Sequence, residues 1–409
     1  MLDVLQKDVR NCRNDFPSLA RTVSGKQAAF FDGPGGTQVP NQVIDAISLY
    51  YKTCNANAHG PFVTSVETDE TVKLAREAMA AMLGAPGPEC ISFGANMTTL
   101  AFALSRAFSR LLKPGDEVLV TDLDHEANRG PWQTLASHGA VIQSVRMTAD
   151  GTLDMDDLSA KLSDKTRLVA VGYSSNALGT VNDLLHIRRL TRAVGALLIV
   201  DAVHYAPHFP IDVQQLDPDV LLCSAYKFYG PHVGVLYSRR GLLDRLPTDK
   251  LRPQDDDAPY RIETGTLNFA SLAGVTAAVR YIAAFGSGGS LRERVVSGME
   301  TIHAHELALA RRLYDGLQAM KHVRLYGQPF GEELRAPTVS FVVDGVDSQL
   351  AAKQLAEHGI FVWGGHFYAM RVIESLGLEE AGGLVRVGIS VYNTAEEVDR
   401  LLEVVRAMQ

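Results

Sequence analysis

The chain has 409 residues, 46% hydrophobic and 21% charged, the composition of a soluble globular protein long enough for two domains. A net charge of -8 with no basic face excludes a nucleic-acid partner, and no run approaches the ~18 apolar residues that span a bilayer. Cysteines at 12, 54, 90 and 223 are too few for a disulfide framework and lack metal-ligand spacing. They read as free thiols of a reducing cytoplasm, so no metal is expected, and the polar N-terminus shows no apolar signal core.

The pattern predicts a short helix over 3–13, then a brief strand leading into Phe30-Phe31-Asp32-Gly33-Pro34-Gly35-Gly36-Thr37. Three glycines within four residues permit a tight turn or close backbone approach to a ligand. A helix over 65–83 ends at Gly84. From residue 90 the chain alternates. Strands are expected at 90–93, 117–121, 140–146, 167–173, 196–201, 219–223 and 234–237. Between them lie helices at 96–112, 126–138, 154–162 and 183–194. Unbroken Val, Leu and Ile runs are what strands covered on both faces look like. The fold class is therefore α/β, a mostly parallel sheet flanked by helices. A helix over 272–286 runs into Gly286-Ser-Gly-Gly-Ser290, a boundary. A long helix over 291–321 follows, with strands at 338–343, 359–362 and 385–390 and helices at 347–358 and 395–407. Residues 1–35 read as an N-terminal segment packing on the small domain, 36–285 as the large domain and 286–409 as a smaller α+β domain. His303 and His305, on the long helix, read as solvated surface, and Cys223 as core.

In open α/β sheets the ligand sits outside the carboxyl ends of the strands. Those ends present Gly94-Ala95-Asn96, Asp122 to His125, Ser174-Ser175-Asn176, Asp201 to His204 and Ser224-Ala225-Tyr226-Lys227. Singly, each reads equally as a cap, a turn or a solvated charge. Together they match the needs of pyridoxal 5'-phosphate. Gly94, Ala95 and Asn96 open a helix whose N-terminus suits a phosphate, with hydroxyls from Ser224 and Tyr226. Asp201 would keep the pyridine nitrogen protonated, and His125 would stack on the ring. His204 and Asn176 can hydrogen-bond the ring oxygen, and Val203 joins the cofactor set between Asp201 and His204. Lys227 would carry the cofactor as an imine and later move protons. No Gly-x-Gly-x-x-Gly follows a strand, which disfavours a nucleotide-binding oxidoreductase.

At this point the chain resembles the class V aminotransferases, fold type I enzymes dependent on pyridoxal phosphate, and within them the cysteine desulfurases. The resemblance runs from Phe31-Asp32 to about Leu402. Asp201-Ala-Val-His204 and Ser224-Ala-Tyr226-Lys227 resemble the family's Asp-x-x-Gln/His and Ser-x-His-Lys patterns. Asn55-Ala-Asn57-Ala-His59 resembles a stretch lining the family's substrate pocket, which implies substrate roles for Asn57 and His59 beside Gly35. Glu263-Thr-Gly265-Thr266-Leu267 resembles a segment whose threonine reaches the phosphate in the neighbouring subunit, which implies a homodimer with Thr266 shared. Val385-Arg386-Val resembles the strand bearing the arginine that grips the substrate α-carboxylate, and the planar fork of Arg386 suits that role.

Tyr226 stands where the family usually has histidine, and His204 where glutamine is commoner. Desulfurases carry a persulfide-forming cysteine on a mobile loop. Trp363-Gly-Gly-His366-Phe367-Tyr368 resembles that loop, with Tyr368 at the cysteine position and His366 beside the substrate. No cysteine follows Cys223, so sulfur acceptance would fall to Cys54. The resemblance implies an enzyme acting on a small α-amino acid, a desulfurase-like C–S lyase with transamination or epimerisation as alternatives. A non-catalytic sulfur-transfer scaffold is the reading of a different class, and Lys227 and Asp201 speak against it because a scaffold needs neither.

Overall fold

The computed structural model describes residues 7–331 and 333–408. The helix expected over 3–13 lies partly outside them, and its described part is a 3-10 helix, Val9–Asp15. Helices α1 (Asn41–Thr53) and α2 (Val63–Leu83) precede the first sheet. Its seven strands are β1 (Ile91–Gly94), β2 (Glu117–Thr121), β3 (Val141–Val145), β4 (Thr166–Gly172), β5 (Leu197–Asp201), β6 (Val220–Ser224) and β7 (Gly234–Ser238). They lie in the order β1-β7-β6-β5-β4-β2-β3. Pairings from β6 to β3 are parallel, and β7 runs antiparallel to both neighbours. Helices α3 (Met97–Ser109), α4 (Met155–Lys161) and α5 (Leu184–Val194) connect strands.

Strand periodicity explains why these runs carry no polar alternation. Leu119, Val169, Val171, Leu198, Val200 and Leu221 enter one hydrophobic core. Their neighbours Val118, Val120, Leu168, Ala170, Ile199 and Leu222 enter another on the opposite face. The helix expected over 126–138 is instead a 3-10 turn (Glu126–Asn128), one α-turn (Gly130–Gln133) and a second 3-10 helix (Thr134–His138). Gly130 and Pro131 account for the break, since glycine is entropically costly in a helix and proline has no N–H to give.

Helices α6 (Phe269–Ala283) and α7 (Leu291–Gln318) lead to a four-stranded antiparallel sheet. Its strands are β8 (Val323–Tyr326), β9 (Thr338–Val343), β10 (Trp363–Gly365) and β11 (Leu384–Gly388), in the order β8-β9-β11-β10. Helices α8 (Ser348–Glu357), α9 (Met370–Leu376) and α10 (Ala395–Arg406) complete the chain. The strand expected at 359–362 leaves this sheet: Ile360–Phe361 pairs in parallel with Ala29–Phe30, tying the N-terminal segment to the C-terminal part. His303 and His305 are half-buried, contrary to the solvated surface expected. His303 packs on Phe209, with ring centroids 4.5 Å apart, and a ring nitrogen of His305 lies 3.1 Å from the Asn393 carbonyl. No described helix is long and apolar enough to cross a membrane.

Candidate active site

Residue by residue, the carboxyl edge of the first sheet converges on Lys227. Register pairing sets Asp201 at the end of β5 beside Leu222 of β6, two residues before Ser224. A 3-10 turn, Ala225–Lys227, then swings the lysine into the interior, leaving it 9% exposed. The glycine-rich turn closes over it. Thr37 N–H donates to the Tyr226 carbonyl at 3.0 Å, Tyr229 N–H to Thr37 Oγ1 at 2.8 Å, and Lys227 Nζ to the Pro34 carbonyl. Burial pulls the ammonium of Lys227 down to about 7, helped by Arg386 and opposed by Asp201 and Asp32. Burial likewise raises the carboxyl of Asp201 to about 6, against the Val203 N–H that donates to its Oδ1 at 2.8 Å. Val203 thus orients Asp201 through its backbone.

At the start of α3 the Asn96 side chain accepts from Thr99 N–H at 2.9 Å, closing a capping box. Ser224 Oγ accepts from Met97 N–H at 3.0 Å, which puts its hydroxyl at the helix N-terminus with Gly94 and Ala95 immediately before it. A Cβ at Gly234 would fall 2.3 Å from the Asn96 carbonyl carbon, so only glycine lets β7 pass this close. Tyr226 stacks on His232 at 4.8 Å, with Lys227 Nζ 4.8 Å from the Tyr226 ring centroid.

His125 follows β2 and accepts through Nδ1 from Ala127 N–H at 2.9 Å. Burial, Lys227 and Arg386 hold its imidazole down to about 4, so it is neutral at physiological pH. Its ring stacks on Tyr368 with centroids 5.5 Å apart. The 366–369 loop is latched over the pocket: Glu126 N–H donates to the Tyr368 carbonyl at 2.7 Å, and Asn176 Nδ2 to the Phe367 carbonyl at 2.9 Å. Arg371 Nε donates to Asp122 at 3.1 Å. Phe367 and Tyr368 hold left-handed backbone, with φ of 53° and 58°, uncommon for bulky side chains. His366 Nδ1 accepts from Tyr368 N–H at 3.1 Å. Gly35 meets this loop's base, since a Cβ there would lie 2.7 Å from Trp363 Nε1.

Arg386, on β11, is buried, donates to the Asn176 carbonyl at 3.0 Å and lies over the Phe367 ring. No carboxylate pairs with it among the described residues. Arg386 Nε and Asn176 Oδ1 are buried without a partner, a donor and an acceptor left for a ligand. His204 is buried and bonds Thr338 Oγ1 through Nε2 at 3.0 Å.

Three expected site residues lie on the surface of the single chain. Asn57, His59 and Thr266 are exposed, and His59 Nδ1 lies 3.1 Å from Asp69 of α2 rather than against a pocket side chain. The hydrogen bonds of Cys54 run to Tyr50 and Thr68. Sequence reasoning missed Asp32 and Phe367. Asp32 is a carboxyl raised to about 6 by burial and drawn down by Arg386 and Lys227; its place just before a glycine-rich turn was the available signal.

A family model described as "Aminotransferase class-V" matches residues 29–401. The probable cysteine desulfurase 1 of Mycobacterium leprae (strain TN) is 34% identical over 99% of the chain, which spans 66% of that protein's length. The cysteine desulfurase of Pectobacterium atrosepticum is 31% identical, with 96% of each chain covered. The chain also superposes on solved structures. For the cysteine desulfurase CsdA of Escherichia coli the TM-score is 0.85, at 26% identity with 98% of each chain covered. For a cysteine desulfurase of Thermococcus onnurineus NA1 it is 0.86, at 29% identity and 97% coverage of each.

Proposed function

From the premise that the chain belongs to the aminotransferase class-V family, we propose a pyridoxal phosphate-dependent, cysteine desulfurase-like C–S lyase acting on a small α-amino acid. The observation that carries the reading is a buried lysine of lowered basicity set among Asp201, Asp32 and Arg386. Unpartnered Arg386 Nε and Asn176 Oδ1 support the fit of a polar ligand beside it. Ser224, Asn96 and the N-terminus of α3, preceded by Gly94 and Ala95, would hold the phosphate, with Tyr226 at its side. When bound, the cofactor supplies an electron sink for the pair left on the substrate Cα.

The chain's own groups have separate tasks. Asp201, fixed by the Val203 N–H, keeps a negative charge where the ring nitrogen would lie. Neutral His125, braced by Tyr368, offers a flat face for stacking. Arg386 takes the substrate carboxylate in its fork. Lys227, an amine near neutrality, takes the Cα proton and returns one elsewhere. The latched loop would shield the reacting groups from water.

The loop carries Tyr368, and burial raises the thiols of Cys12, Cys90 and Cys223 rather than activating them. Without a cysteine on that loop, sulfur would leave as hydrogen sulfide rather than through a loop persulfide. With Tyr368 at the cysteine position of the loop, transamination or epimerisation is the second reading. A homodimer belongs to the proposal. Exposed Thr266 is available to a partner's phosphate site, and exposed Leu49, Tyr51, Phe62, Val63 and Val66 on and between α1 and α2 support a covered face. The division at 35/36 and 285/286 and a reducing cytoplasm, which suits four free cysteines, are further parts of the proposal.

Purified protein with added pyridoxal phosphate is expected to absorb near ~420 nm, and Lys227→Ala to lack that band. A wild-type protein that never shows it would sink the cofactor reading. Incubation with an amino-acid panel, following sulfide, pyruvate, keto acids and α-hydrogen exchange, separates the reactions. Sulfide with pyruvate supports the lyase, whereas keto acid or exchange without sulfide supports the second reading.

A further inference from the structure

Thr338 opens β9, whose neighbour β11 carries Arg386. Side chains two apart share a strand face, so Thr338 and Ser340 line one face with Arg386 and Gly388 beside them. That face docks on the loop after β4: Arg386 Nη1 donates to the Asn176 carbonyl and Ser340 Oγ to the Ala177 carbonyl. Thr338 is fully buried there, with its hydroxyl 3.0 Å from His204 Nε2. No other partner of that hydroxyl is present among the described residues.

A threonine hydroxyl has one proton to give, and an imidazole nitrogen accepts only when unprotonated. Were Nε2 protonated, it would donate to the Thr338 oxygen and leave the buried hydroxyl proton without an acceptor. The opposite arrangement avoids that desolvation penalty. Thr338 therefore donates to Nε2, and the ring proton sits on Nδ1. Burial holds His204 well below the usual histidine range, and His208, Arg386 and Lys227 act in the same sense, so the ring carries a single proton. Charged or titratable groups around it are His208, with ring centroids 5.5 Å apart and Glu306 of α7 bonded behind it. Lys227 after β6 and Arg386 on β11 face it too, with Asp201 and Asp32 acting on Lys227.

Resting on the cofactor reading above, we propose that Thr338 is a positioning residue: it locks His204 as the Nδ1–H tautomer, so that His204 donates to the anionic ring oxygen of pyridoxal phosphate. A donor at that oxygen lowers its basicity and loosens its hold on the proton shared with the lysine-bound nitrogen. Removing the donor raises the pH at which that proton leaves.

Thr338→Val keeps the shape and removes the hydroxyl. It is loaded with pyridoxal phosphate, and its absorbance near ~420 nm is titrated with pH beside wild type, Thr338→Ser and His204→Ala. The midpoint is expected to rise by about 0.5–1 pH unit in Thr338→Val, at least as far in His204→Ala, and to return to the wild-type value in Thr338→Ser. A Thr338→Val midpoint equal to wild type, a Thr338→Ser midpoint that follows Thr338→Val, or an unshifted His204→Ala each overturns the proposal. Should Thr338→Val fail to fold, Thr338→Ala is read by the same criteria. A wild-type protein that takes up no cofactor overturns the cofactor reading itself, and Thr338 with it.

Discussion

Lys227 shows how position converts an ordinary side chain into a reagent. Exposed, it would be protonated at neutral pH; buried beside Arg386, it loses its proton near 7. Only the neutral amine attacks an aldehyde. The rate of cofactor capture by apoprotein should therefore rise with pH and level off above about 7, which stopped-flow absorbance checks. A rate still climbing steeply toward pH 10 would mean that the lysine is not desolvated. Arg386 makes no ion pair with a carboxylate among the described residues and keeps Nε free. Arg386→Lys should weaken amino-acid binding by about 10–100-fold through loss of the fork, read as the Kd of the substrate-induced spectral change. Most pocket residues were legible because polar groups at the ends of buried strands are conspicuous. Phe367 was not, because an aromatic in a loop carries no signal until Arg386 is found beneath it.

Elements hold these residues at working distance. Arg76 of α2 grips Glu263 bidentately at 2.8 and 2.7 Å, and Glu263 also accepts from Phe93 N–H at 2.7 Å. This buried pair anchors the segment carrying Thr266 against the strand that leads to the α3 N-terminus. Glu263→Ala leaves Arg76 buried and unpaired and should cost about 3–5 kcal/mol, measured by denaturant unfolding. Asn96→Ala removes a cap and should cost about 1 kcal/mol while weakening cofactor retention. Strands, long helices and caps were readable from periodicity, but the broken turns at 126–138 were not. Apolar spacing there mimics a helix, whereas Gly130, Pro131 and the burial of Asn128 and Trp132 fix a tighter path.

At the scale of the whole molecule, the expected homodimer makes a test. Sedimentation velocity should give twice the chain mass, and Val63→Glu, on an exposed apolar stretch of α2, should shift the protein toward monomer with lower cofactor occupancy. A monomeric wild type that retains full occupancy would remove Thr266 from the site. The sequence alone determined the α/β class, the lysine and the strand-end polar set, because buried parallel strands and polar termini are local patterns that survive in one dimension. Tertiary structure alone decided which groups meet. It brought Asp32 to Lys227 and Arg386, Thr338 to His204 and the Tyr368 loop to His125, and it left Asn57, His59 and Thr266 on the surface. Those contacts join residues far apart in sequence across two sheets. They depend on how the strand faces pack, which no local pattern of residues encodes.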